Sequence, residues 1–405
     1  MTTITATMPQ PAAAAPVSAG ERLHALDSLR ASAMLLGIVL HAAIPFVTIY
    51  IDWPAHDVMA NRGFDGLVGF IHGFRMQVFF FLAGFFGHLV WKRMGTRGFL
   101  AQRGVRIGLP FVAGMLLIIP SILLIWAWAD SYLGTTFIRD HQAEQSLLAF
   151  PTAHLWFLEM LLLLYALAMV LAPLRHRPWV QSQLPRIDAA FDALLRHPLK
   201  PVILMVPTAA LLWFGPRVPE IDLPGMRLLP SAGAVAYYAL FFGIGWWMHR
   251  RVHLVDELRR WLWPYFGASF VCWLALGTSM GALASPGAAG HATAFKAAAI
   301  GSVALYSWFM TFAVTGLFLR VAGGHRPWMR YMADASYWWY LWHVPIVMVV
   351  QVWVARSPVN GWLKLLFIVA VAVAVLAPTY HWLVRYTWVG RILNGPRERP
   401  RAPAA

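Results

Sequence analysis

Apolar residues along this chain do not alternate with polar ones. They come in long uninterrupted runs separated by short polar loops. Ten runs reach spanning or near-spanning length, at about 26–50, 64–91, 105–129, 153–173, 201–215, 232–249, 261–283, 294–319, 332–355 and 362–386. About 20 apolar residues match the ~30 Å hydrocarbon core of a bilayer. An unpaired backbone group inside lipid is too costly, and nothing here has the two-residue period of a barrel strand, so each run is predicted to be a helix. The expected fold class is all-α: a polytopic integral membrane helix bundle of about ten transmembrane helices over 21–390. A disordered cytoplasmic tail is expected over 1–20 and a basic cytoplasmic tail over 391–405. The fifth run is short and is interrupted by Pro207.

Composition agrees with the pattern. The chain is 60% hydrophobic and 12% charged, against roughly 25% charged in soluble domains. A net charge of +15 would point to nucleic acid in a soluble protein. Here most of the 32 Lys and Arg fall in alternate short loops, so lipid and not nucleic acid is the expected partner. One set of loops holds Arg22, Arg30, Lys92 through Arg106, Arg175 through Lys200, Arg250, Arg251, Arg259, Arg260, Arg320, Arg326, Arg330 and the tail from Arg385. The opposite set is nearly bare, so the positive-inside rule puts both termini in the cytoplasm. Residues 1–20 lack a charged region followed by an apolar one, so no cleaved signal peptide is expected and the first helix would serve as the anchor. The single cysteine, Cys272, excludes an internal disulfide and a thiolate metal cluster.

Chemistry-bearing residues stand out against this background. Asp27, Arg30 and His41 belong to the first run. Eleven steps of 100° bring Arg30 and His41 to one helix face, ~16 Å apart along the axis. With Arg30 at the membrane surface, His41 is expected near the bilayer midplane, where an ionisable group is costly and usually functional. Asp27, three residues before Arg30, could hold its guanidinium or simply suit a helix start. The second run carries His72, Arg75 and Gln77. Arg75 is central, so it should face a polar cavity or pair with Asp27 or Glu159. Arg103 and Arg106 open the third run and could grip phosphate or act as ordinary anchors. His154 is expected at the outer surface with Glu159 one turn deeper. The ninth run adds Tyr340 and His343, a second histidine near midplane. Gly277-Thr278-Ser279-Met280-Gly281 matches a nucleophile-elbow pattern but lies at the end of a spanning run, where small residues signal helix packing. No Walker loop, zincin motif or dinucleotide fingerprint is present.

Arginines at a cytoplasmic mouth and histidines on a deeper floor suit a donor with a phosphate-rich head, a thin arm and a reactive carbonyl, which describes acyl-CoA. The Arg30-x10-His41 spacing after Leu26-Asp27-Ser28-Leu29 resembles the membrane acyltransferase 3 family. So do Val78-Phe79-Phe80-Phe81-Leu82-Ala83-Gly84-Phe85 and the Arg103/Arg106 helix start. The Ile71-to-Phe80 block, His154-Leu155-Trp156-Phe157 and Ala335-Ser336…His343-x-Pro345 resemble a subgroup that succinylates periplasmic glucans. Ala83 stands where that family usually has Ser.

The resemblance implies a bacterial inner-membrane enzyme of acyltransferase 3 fold, with no bound cofactor and with acyl-CoA, expected to be succinyl-CoA, as co-substrate. A periplasmic glucan hydroxyl would be the acceptor, and other glucan-synthesis proteins could be partners. Arg30, Arg103 and Arg106 would hold the donor phosphates, and His41 would act as general base, with an acyl-His41 intermediate as the other variant. Arg75, with His72 and Gln77, is expected to bind the free carboxylate of a succinyl chain. Asp27, His154, Glu159, Tyr340 and His343 are expected to support the site. An O-acetyltransferase of another polysaccharide is the neighbouring alternative. A secondary transporter of sugar or organic anion is the alternative from another class, although the chain shows no internal repeat.

Overall fold

The computed structural model describes residues 19–49, 51–142, 151–215, 228–324, 326–395 and 397. Most of the predicted tails therefore lie outside the described residues. Each of the ten apolar runs carries a helix, and there is no strand among the described residues. The main elements are α1 (Ala19–Ala43), α2 (Arg62–Arg103), α3 (Leu109–Leu133), α4 (Phe137–Gln142), α5 (Trp156–Leu171), α6 (Pro178–Arg196), α7 (Lys200–Trp213), α8 (Ala232–Arg250), α9 (Glu257–Arg260), α10 (Leu262–Leu283), α11 (Ala292–Val321), α12 (Pro327–Val354), α13 (Gly361–Thr379) and α14 (Trp388–Asn394). Residues 391–394, expected as tail, thus belong to a short terminal helix.

Among the described residues, six helical stretches are long and apolar enough to cross a membrane: Leu23–Phe46, Arg62–Leu133, Ala153–His176, Leu262–Leu283, Ala292–Val321 and Gly361–Val384. The 72-residue stretch Arg62–Leu133 contains two of the predicted runs, joined by a π-helical turn at Gly104–Gly108. α7 is apolar but short. α8 and α12 fall outside the set and are rich in Trp and Tyr. Large apolar side chains cover the perimeter, among them Leu116, Leu117 and Leu124 on α3, Phe270, Val271 and Leu274 on α10, and Leu363, Leu366 and Phe367 on α13. Outward apolar faces over internally satisfied helices are what lipid requires. The molecule is a multi-pass membrane protein.

α1 sits inside the bundle and touches α2, α11, α12 and α13. It is shorter than the apolar run suggests. Pro45 lies in a 3-10 turn, Ile44–Phe46, that closes the helix, because proline has no N–H to continue the ladder. His41 is therefore in the last turn of α1, ~8 Å along the axis from Phe46.

α2 and α8 cross at two glycines. A Cβ on Gly84 would run into the Phe242 carbonyl, and one on Gly245 into the Phe81 carbonyl. Each helix thus places a backbone where the other would need a side chain, the small-residue contact typical of membrane helices. Gly84→Val is expected to destabilise the bundle by ~1–3 kcal/mol through overpacking, read as a lower melting temperature in detergent. An unchanged melting temperature would show that the helices can separate freely here.

The 174–200 region, expected as a loop, contains α6. This helix clasps the end of α8: Asp188 accepts from Arg250 Nε and Nη2 at 2.9 and 2.8 Å and from Trp247 Nε1 at 3.0 Å. Asp192 pairs with Arg251. Hydrogen bonds from Arg250 hold the Asp188 carboxyl below the usual carboxylate range, so the clasp stays ionised at neutral pH. Between α1 and α2, Asp57 is buried with Lys364 of α13 at 2.7 and 2.8 Å.

Candidate active site

Arg30, Met34, Gly37 and His41 succeed one another at intervals of four, three and four, which is one stripe of α1. Met34, Gly37 and His41 line a chamber with Arg75, Met76 and Phe79 of α2, His154, Trp156 and Phe157 at the start of α5, and Tyr340 and His343 of α12. Its volume of about 40 Å³ leaves room for a few water-sized groups.

The hydrogen bonds fix the proton positions of its two central rings. His343 Nδ1 lies 2.7 Å from the Tyr340 carbonyl and 3.1 Å from that of Trp339. Carbonyls only accept, so Nδ1 of His343 carries the proton and its Nε2 carries the lone pair. That Nε2 is 2.9 Å from His41 Nδ1, so His41 donates through Nδ1. His41 Nε2 then holds the lone pair, the form a general base requires. Trp53 stacks on His41 with centroids 6.0 Å apart and planes at 15°. Gln351 donates to the His41 carbonyl at 2.7 Å and accepts from Trp53 Nε1 at 3.0 Å. Ring and backbone of His41 are thus held from two sides.

Arg75 crosses the chamber toward α1. Its guanidinium occupies the space a Cβ at Gly37 would need. Its Nη2 is 3.5 Å from the Met76 sulfur, and its Nε has no partner. No carboxylate pairs with it among the described residues, so neither pairing foreseen for it is present. Asp27 instead pairs with Arg30 at 3.2 Å. Glu159 is buried with Oε2 unpartnered and lies outside the chamber lining. The Arg75 guanidinium thus reaches the chamber with no compensating carboxylate among the described residues.

The structure moves three other residues from their expected places. His154 is buried in the chamber and not at the outer surface; its ring is 5.3 Å from that of His343. The 3-10 turn Ala153–Leu155 turns inward at Ala153, which adopts φ +42°, a conformation uncommon outside glycine. His154 Nε2 donates to the Leu341 carbonyl at 3.0 Å, and the Tyr340 hydroxyl donates to the His154 carbonyl at 2.7 Å. Gln77, two residues beyond Arg75, points the other way and donates to Tyr237 at 2.9 Å. His72 is also outside the chamber lining. The expected Arg75–His72–Gln77 receptor thus reduces to Arg75.

Arg103 and Arg106 lie one turn apart at the π-helical turn Gly104–Gly108. Arg103 lies 4.7 Å over the Tyr165 ring, and its Nε is unpartnered. The Tyr337 hydroxyl donates to the Arg106 carbonyl at 2.7 Å, tying α12 to this turn. Sequence reasoning passed over Met34, Gly37, Trp53, Gln351 and Tyr337 as site residues. The Arg30–Met34–Gly37–His41 spacing was a usable signal for the first two. Trp53 and Gln351 had none, because their contact is set by how a loop folds over α1.

Comparison with known proteins agrees with this geometry. Residues 23–381 match the acyltransferase 3 family, described as an acyltransferase domain. The chain belongs to that family and is a membrane acyltransferase. It is similar to the glucans biosynthesis protein C of Salmonella paratyphi B, of Salmonella heidelberg and of Salmonella enteritidis, at 30% identity over 144 residues in each case. That region is 35% of this chain and 37% of each relative, so the match spans about a third of those proteins. No solved structure matches the chain.

Proposed function

We propose that this protein transfers an acyl group from acyl-CoA to the hydroxyl of a glucan, across the membrane that holds it. His41 Nε2 takes the proton of the acceptor hydroxyl as its oxygen attacks the thioester carbonyl. The C–O bond forms, the C–S bond breaks, and the CoA thiolate leaves with the proton that His41 returns. In this scheme transfer is direct, without an acyl-His41 intermediate. The donor phosphates rest on Arg30, Arg103 and Arg106, and the arm follows the Met34–Gly37 stripe down to His41. The observation that carries the reading is the His41–His343 bond, which leaves one basic nitrogen on a chamber ~16 Å along α1 from Arg30. The basic end of the bundle is taken as cytoplasmic on the positive-inside rule. The glucan acceptor rests on the similarity to glucans biosynthesis protein C. The test is release of free CoA thiol on adding acyl-CoA and glucan to the reconstituted protein, with a mass shift per substituent on the glucan. Consumption of acyl-CoA with no change in any glycan would overturn the acceptor.

Arg75 selects the acyl chain in this proposal. Its guanidinium would bind the free carboxylate of a succinyl group, which an acetyl group lacks. Arg75→Ala is expected to lower succinyl transfer at least ~30-fold, on the scale of a lost charge-assisted hydrogen bond, and to spare acetyl transfer. Equal loss with both donors would show that Arg75 instead stabilises the oxyanion common to both reactions.

A further inference from the structure

Away from the chamber, α2 around its break at Gly95, the end of α8, Arg175 after α5 and Asp188 of α6 line a second, larger cavity of about 450 Å³ that is open to the outside. Its lining includes Lys92, Arg175, Arg250 and Arg251 against a single carboxylate, Asp188. Asp188 is committed to Arg250 and Asp192 to Arg251. Lys92 and Arg175 have no carboxylate partner among the described residues, and both are exposed. Two cations therefore face the cavity uncompensated.

The surroundings hold Arg175 in place. The Arg175 guanidinium lies 4.3 Å over the Trp91 ring. Trp91 Nε1 donates to Thr96 Oγ1 at 3.1 Å, across the break in α2 at Gly95, whose φ is +69°. On the floor, His88 and His249 meet Nδ1 to Nδ1 at 2.7 Å. Of two such neutral rings one donates and the other accepts, so the accepting ring carries its own proton on Nε2 as a further donor. Trp91 lines the cavity and is backed by Trp246, with centroids 5.5 Å apart.

We propose that this cavity is a binding site for a phosphate ester, separate from the acyl-transfer chamber. Arg175 supplies a planar fork suited to phosphate oxygens and Lys92 a point charge. Basic pockets between helices near a membrane surface also take anionic lipid headgroups. The same chemistry serves a phospholipid headgroup or a soluble phosphate ester. The cavity is larger than a bare phosphate needs, so part of the esterifying group would enter with it.

The test uses the full chain in detergent and a Lys92→Gln/Arg175→Gln double variant; both side chains are exposed, so folding is not at stake. Arg93→Gln/Arg97→Gln is the control, since these cations lie on the same segment outside the cavity lining. Inorganic pyrophosphate is titrated calorimetrically. Lipid retention is read by native mass spectrometry after exposure to phosphatidylglycerol vesicles. The expected result is at least a tenfold weaker pyrophosphate affinity in the double variant, with the control unchanged. Phosphatidylglycerol retained by wild type and lost in the double variant identifies a lipid as the occupant; its absence from both, with pyrophosphate bound, identifies a soluble ester. No pyrophosphate binding, or equal weakening in the control, would overturn the site. Neither readout depends on acyl transfer, so failure here leaves the proposed reaction untouched.

Discussion

Replacing His41 by alanine is expected to reduce acyl transfer by ~10²–10⁴-fold, the range for loss of a general base. The protein should remain folded, because the ring makes one side-chain hydrogen bond, to His343, while the contact from Gln351 goes to the His41 backbone. His343→Phe should give a smaller loss. It removes the acceptor that keeps the His41 proton on Nδ1, so His41 would spend part of its time as the wrong tautomer. Turnover should fall in that variant while the KM for acyl-CoA, which the proposal assigns to Arg30, Arg103 and Arg106, stays near wild type. Release of CoA thiol by the reconstituted variants measures both. If His41→Ala transferred acyl groups at the wild-type rate, the assignment of the chamber as the reaction centre would be wrong.

The second large effect concerns stability. Asp57 and Lys364 are paired with their side chains only 1% and 3% exposed. Removing one partner leaves a buried charge uncompensated, at a cost of ~3–5 kcal/mol. Asp57→Ala and Lys364→Met should therefore each lower the melting temperature sharply in detergent, and the double variant should recover much of the loss because no bare charge remains. The pair also bears on the chamber. Asp57 belongs to the same α1–α2 connection as Trp53, which stacks on His41. It also orders that connection locally, accepting from the Met59 amide at 2.8 Å. Each single variant should thus lose activity before it unfolds. Single substitutions with unchanged melting would mean that water reaches this pair and screens it.

The order of the helices was legible in the sequence. Long apolar runs can only be helices in lipid, and each of them is one. The Arg30–His41 alignment was legible too, since eleven residues return to the same face of any α-helix. The one-turn spacing of Arg103 and Arg106 was legible in the same way. These features depend on periodicity and spacing within a single segment, which the chain carries locally.

What tertiary structure decided was which faces meet. In a soluble bundle, the polar face of each helix shows which side is buried. Here lipid is as apolar as the protein interior, so a helix such as α2, apolar nearly all round, gives no such indication. Nothing local told that Gln77 would turn to Tyr237 while Arg75 turned to Gly37. Nothing local told that Ala153 would take a left-handed backbone and carry His154 inward, or that His343, 302 residues beyond His41, would set its tautomer. The chain by itself determined a helical membrane acyltransferase with a histidine aligned to Arg30. The packing of α1 against α2 and α12, with the start of α5 lining the same space, turned that alignment into a chamber, because a proton's position on a ring depends on the neighbours other helices supply.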